Sequence, residues 1–171
     1  MREYYKIIKT FDLKKINIES GKVQITDPCY EPSLWCSHTR EIKKGEYICK
    51  AVMVDAGDWG RRIAELTINH ISTPKKKATT LMCCAGVDSG QCGFFDAEYY
   101  KKYHKAEYVD DDAESLSWYR RVCDITLADK SCGTIDKKGV VSSSGFGDGG
   151  YDCYAGFNSK GEITALRLRF I

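Results

Sequence analysis

Five aspartates sit in turns marked by glycine or proline: Asp27 before Pro28, Asp88 and Asp96 bounding Asp88-Ser-Gly-Gln-Cys-Gly-Phe-Phe-Asp96, and Asp148 and Asp152 in Ser142-Ser-Ser-Gly-Phe-Gly-Asp-Gly-Gly-Tyr-Asp152. If two of these carboxylates meet in space, one would hold its proton more tightly and the pair becomes a general acid/base site or a cation site. Ser89 and Gln91 add neutral oxygens of the kind a hard cation takes, although the alternating acidic run and terminal glutamate of a helix-loop-helix calcium loop are missing. The competing reading is structural. Aspartate beside glycine accepts hydrogen bonds from its own turn, so each carboxylate would cap the loop that carries it, and this reading has the greater weight. Site candidates are therefore Asp27, Asp88, Ser89, Gln91, Asp96, Asp148 and Tyr151, as ligand-binding positions. No catalytic set, metal ligand set or cofactor is assigned.

Two further chemistries are weaker. Cys29 or Cys92 in a turn, with His38, His70 or His104 as base, would make a thiol nucleophile, but nine cysteines and three histidines offer many accidental pairs. The glycine-rich stretch at 145–150 invites a phosphate cradle. Such a cradle opens a helix and usually carries a lysine, whereas this one carries Asp148 and precedes a strand pattern. Trp35, Trp59 and Tyr151 are candidates to stack on a ligand.

Composition narrows the classes. The chain has 171 residues, 43% hydrophobic and 29% charged, with 26 basic and 24 acidic residues for a net charge of +2. This is one soluble domain spanning 1–171, without the global charge of a nucleic-acid binder. Lys75 to Lys77 lack interleaved aromatics and read as a solvated loop. No stretch approaches about 18 consecutive apolar residues, and the first residues are charged where a leader would be apolar, so the expected location is cytoplasmic, with no membrane and no nucleic acid as partner. The cysteines form no matched C-x-x-C pairs, which leaves them as free thiols rather than structural zinc ligands.

The elements that must position these residues are mostly strands. Tyr4–Phe11, Lys22–Ile25, Gly45–Val54, Arg62–Ile71, Leu81–Val87, Asp124–Leu127, Gly133–Val141, Tyr151–Phe157 and Glu162–Phe170 carry alternation or β-branched residues. Asn158 to Gly161 supplies a hairpin turn. Asp96–Lys105 and Asp110–Cys123 begin with acids and read as two short helices. The expected fold is mainly β: an antiparallel β-sandwich or partly open barrel with two short inserted helices.

Asp27-Pro28, the segment from Gly86 to Asp96, and Ser144-Gly-Phe-Gly-Asp-Gly-Gly-Tyr-Asp-Cys-Tyr-Ala-Gly with Gly161 to Phe170 together resemble a bacterial family of domains of unknown function. That family is marked by a Gly-Val-Asp-(Ser/Ala)-Gly segment and a Ser-Gly-x-Gly-Asp-Gly-x-Tyr hairpin. The ending Arg169-Phe-Ile171 departs from its acidic-aromatic terminus. The resemblance implies kinship across the chain and an association with bacterial and phage conflict systems, with no activity to carry over. The leading expectation is thus a cytosolic, non-enzymatic small-ligand-binding or protein-interaction domain, its partner an unidentified small molecule or protein. The rival is a carboxylate-dependent hydrolase, with or without the help of a metal, using Asp27, Asp88 and Asp148.

Overall fold

A computed structural model describes residues 5–101 and 118–171. Among these residues there are eleven strands: β1 (Lys6–Ile18), β2 (Lys22–Thr26), β3 (His38–Glu41), β4 (Gly45–Asp55), β5 (Arg61–His70), β6 (Thr80–Val87), β7 (Gln91–Asp96), β8 (Cys132–Ile135), β9 (Gly139–Ser143), β10 (Gly149–Phe157) and β11 (Ile163–Arg169). One α-helix is described, α1 (Trp118–Leu127), between β7 and β8. The strands form a six-stranded sheet, β1-β4-β5-β11-β10-β6, and a five-stranded sheet, β3-β2-β7-β9-β8. Every pairing is antiparallel, and the sheets pack as an open sandwich rather than a barrel.

The alternation read in β4 is the alternation that packs. Tyr47, Cys49, Ala51 and Met53 are buried while Glu46 and Lys50 face out. They meet Ile63, Leu66 and Ile68 of β5, Leu166 and Leu168 of β11, and Ile25 and Phe94 of the smaller sheet in one core between the layers. A second, smaller core lies on the far face of the five-stranded sheet. There α1 sets Trp118 and Val122 against Phe95, Tyr100, Ile135 and Val141, with Phe95 and Tyr100 each edge-on or tilted to their aromatic neighbours. Gly139 makes that packing possible, because a Cβ there would collide with the Phe95 ring.

Four expectations change. Asp124–Leu127, read as a strand for its Ile-Thr content, is the last turn of α1: Thr126 shares the buried helix face with Val122, and that burial outweighs β propensity. Gly133–Val141 is two strands, β8 and β9, joined through Asp136 and Lys137 at positive φ (50° and 57°). Gln91–Asp96, read as loop, is the central strand β7, buried along its whole length. After it, residues 97–101 form turns instead of starting a helix, so one helix stands among the described residues where two were expected. The remainder of the first expected helix, with His104, and the start of the second lie outside the described residues.

Candidate functional site

Strand directions bring three loops to one end of the sandwich. β2 and β6 finish there, β7 and β10 begin there, and β9 ends beside them. The loops are 27–37, 88–90 and 144–148.

Asp27 joins the first two. It is fully buried, and both carboxylate oxygens are engaged. Oδ2 accepts the backbone N–H groups of Asp88 (2.8 Å) and Ser89 (2.7 Å). Oδ1 accepts the Cys29 N–H (2.8 Å) and the Ser89 hydroxyl (2.6 Å). The Cys29 contact is the turn-capping bond expected of an aspartate two residues earlier. The other three bonds cross to a loop about sixty residues away in sequence. Charge-assisted hydrogen bonds are the strong ones, and a buried carboxylate holding four of them fixes both loops.

The network continues into α1. Gln91 donates from Nε2 to the Ser89 hydroxyl (3.2 Å) and to Cys123 Sγ (3.4 Å), while its Oε1 accepts the Thr126 hydroxyl (2.6 Å). Tyr119 lies one turn before Cys123, and burial pushes its hydroxyl up to about 12. Tyr100 donates its hydroxyl to the carbonyls of Tyr30 (2.7 Å) and Asp27 (3.2 Å), and Lys101 donates to the Cys29 carbonyl (3.2 Å) and pairs with Glu31 (3.4 Å). Helical spacing alone places Tyr119, Cys123 and Thr126 on one face. Their reach to Ser89 and Gln91 leaves no local sequence signal.

The third loop docks through Ser144, which is buried and donates its N–H to the Gly90 carbonyl (3.0 Å). Tyr151 directs its hydroxyl to the carbonyls of Ser144 (2.9 Å) and Gly147 (2.8 Å) and packs edge-on to Phe170. Gly145 takes a left-handed φ of 55°, where a side chain is strained, and a Cβ there would press on Phe170 and Ile171. The glycines therefore let a tight loop fold back onto the carboxyl-terminal strand, and Tyr151 serves that closure rather than standing free.

Asp88 and Asp148 are exposed. The last register pair of β6 and β10 at this end is Val87 with Gly149, so the two acids flank it, one residue beyond on either strand. Tyr30 lies next to Asp88, and burial together with that carboxylate raises its hydroxyl well above the ordinary range. Trp35, at the tip of the first loop, is 88% exposed. Phe146 stacks edge-on with Trp59 (5.6 Å). A groove of about 710 Å³ opens beside this end on the outer face of the larger sheet, between Val52, Val54, Gly150, Arg167 and Arg169.

The two remaining acids lie elsewhere. Asp96 is buried at the opposite end of β7, where it accepts the N–H groups of Glu19 (2.6 Å), Ser20 (3.0 Å) and Glu98 (3.0 Å). Asp152 of β10 pairs with its cross-strand partner Arg169 of β11 (3.5 Å). The thiol candidates are poorly placed for nucleophilic work. Burial, with the Asp27 carboxylate nearby, pushes Cys29 up to about 12, and complete burial raises Cys92 well above its usual value. His38 is bonded to the Cys84 carbonyl and His70 to Ser72 and the Lys44 carbonyl, neither of them to a thiol. Among the described residues no three His, Cys, Asp or Glu side chains gather as a metal site.

Two of these three loops fall within residues 81–168, which match the family described as Protein of unknown function (DUF4241) and make up just over half of the chain. The chain belongs to DUF4241. No curated protein and no solved structure matches it significantly. The DUF4241 segment contains the Asp88 turn, the terminal glycine loop and α1, while Asp27, which clamps that turn, lies before it. Among the described residues no helix is long and apolar enough to cross a membrane.

Proposed function

We propose that the chain is a non-catalytic recognition domain whose binding surface is the loop-bearing end of the sandwich. The observation that carries this reading is the division of labour among its carboxylates. Asp27 is wholly engaged in holding the loops, whereas Asp88 and Asp148 are exposed on a scaffold that this clamp makes rigid. Rigid loops cost little further entropy on binding, and an exposed tryptophan beside them offers an apolar anchor. Two exposed carboxylates at one strand end favour a ligand or protein segment that presents a cation. The hydrolase reading asks Asp27 for a lone pair that four donors already occupy. We further place the domain in the cytoplasm, which its nine free thiols support, and among bacterial or phage interaction systems, which the motif resemblance supports.

Native mass spectrometry of the full chain purified from its host, followed by affinity measurement with the retained molecule or partner, tests the proposal. Asp88→Asn with Asp148→Asn should weaken binding at least about tenfold, the order expected for loss of well-placed charge contacts, with the unfolding midpoint unchanged. Binding that ignores both acids and Trp35→Ala would remove the proposed surface. Turnover of a bound molecule that depends on Asp88 would replace the reading with an enzymatic one.

A further inference from the structure

Cys83 of β6 and Cys153 of β10 are register partners. Both turn toward the core, where Cys153 is completely buried and Cys83 is partly exposed. Residues directly opposite in an antiparallel pair have Cα atoms about 4.5–5.5 Å apart, inside the range of about 4.4–6.8 Å that a disulfide spans. Each thiol is near enough to shift the other's ionisation, lowering that of Cys83 and raising that of Cys153. β6 and β3 are edge strands of the two sheets, and His38 of β3 reaches the Cys84 carbonyl, so Cys83 sits at the open side of the sandwich. The neighbouring Cys153 thiol, and the positive charge of Arg40 on β3, lower the Cys83 thiol from its ordinary value. A partly exposed thiol that ionises more readily, next to a buried second thiol, is the arrangement in which oxidation is resolved as a disulfide.

We propose that Cys83 and Cys153 are an oxidisable dithiol, an oxidative modification site that reacts with hydroperoxides. The Cys83 sulfur attacks the distal peroxide oxygen, the O–O bond breaks, and the alcohol, or water from hydrogen peroxide, leaves, forming Cys83 sulfenic acid. The Cys153 sulfur then attacks the Cys83 sulfur, the S–O bond breaks, and water departs with the Cys153 proton. Two thiols are oxidised by two electrons in total while one hydroperoxide is reduced to alcohol and water. Thiol-disulfide exchange with a small thiol reverses the cross-link. Cys84 and Cys92 are the nearby competitors. Cys84 is exposed, whereas Cys92 is completely buried and its thiol is held protonated by that burial. Since β6 ends at the 88–90 turn, the cross-link would fasten the edge strand that carries it.

The test uses the full reduced chain titrated with hydrogen peroxide, alkylated and mapped by tandem mass spectrometry. The expected product is a peptide pair linked Cys83 to Cys153, formed equally in Cys84→Ser, absent in Cys83→Ser and Cys153→Ala, and released by dithiothreitol. A link through Cys84 or Cys92 overturns the proposal, as does Cys83 sulfinic acid with Cys153 still alkylatable, or both thiols remaining alkylatable throughout. Should Cys153→Ala fail to fold, the wild-type map and Cys84→Ser decide between these outcomes.

Discussion

Asp27 and Asp96 are buried at opposite ends of the same antiparallel strand pair, and each uses its carboxylate to hold backbone N–H groups of another segment. Asp27 follows β2 and grips the turn before β7; Asp96 ends β7 and grips the turn before β2. The pair is thus cross-tied at both ends by side chains, beyond its own ladder. Asp27 lies four residue steps along the chain from Val23, the register partner of Asp96, a span of about 13 Å.

Asp27→Ala and Asp96→Ala should each lower stability by about 3 kcal/mol in urea unfolding, because each leaves several buried donors without acceptors. The double variant should equal the sum of the two within about 0.5 kcal/mol, as expected of separate structural ties. A coupling several times larger would mean that the two carboxylates act as one site.

Asp88→Ala and Asp148→Ala should change stability by less than about 0.5 kcal/mol, since both side chains are exposed. Ser89→Ala, only one residue away, should cost about 1.5–3 kcal/mol through loss of its bond to the Asp27 carboxylate. Equal effects at residues 88 and 89 would contradict the assignment of Asp27 as a clamp.

Burial raises the thiols of Cys29 and Cys49 to about 12 and that of Cys132 to about 11, from an ordinary value of 9.0. The fold therefore keeps these thiols protonated while the unfolded chain ionises first. Their contribution is fully present below pH 9.0, and stability should fall as pH rises from there through about 12. Urea midpoints across that window measure the slope, and Cys132→Ala should make it shallower.

Gly139→Ala should cost about 1–3 kcal/mol by overpacking, since the new methyl group displaces the Phe95 ring. Near-ultraviolet circular dichroism should report the loss of the Phe95, Tyr100 and Trp118 packing. An unchanged spectrum would show that the second core tolerates the methyl group.

The legible parts of this fold are those whose pattern is local. β4 shows one buried and one open face, and Asn158 to Gly161 carries the residues its turn needs. β7 is illegible for a physical reason: it is covered by the core on one side and by α1 and its aromatic cluster on the other, so no alternation survives, and Gly93 with Asp96 imitates a loop. The hairpin between β8 and β9 places Asp136 and Lys137 at positive φ without a glycine to announce it. At the site, turn capping by Asp27 is readable from its neighbours, but its grip on residues 88 and 89 depends on the packing of distant strands. Grouping Asp96 with the other acids reflects its chain proximity to Asp88, and a central strand carries it to the far end.

The sheet order has an implication for how this lineage is divided. Residues 81–168 contain most of β6 together with β7 to β10 and nearly all of β11, but β11 pairs with β5 and β7 pairs with β2, both outside that segment. Cut out as a module, the segment would expose two raw sheet edges, lose β1, β4 and β5 from the larger layer, and leave the 88–90 turn without its carboxylate. The stretch that marks ancestry is therefore smaller than the stretch that must fold, and a chain trimmed to the family boundaries should aggregate instead of folding.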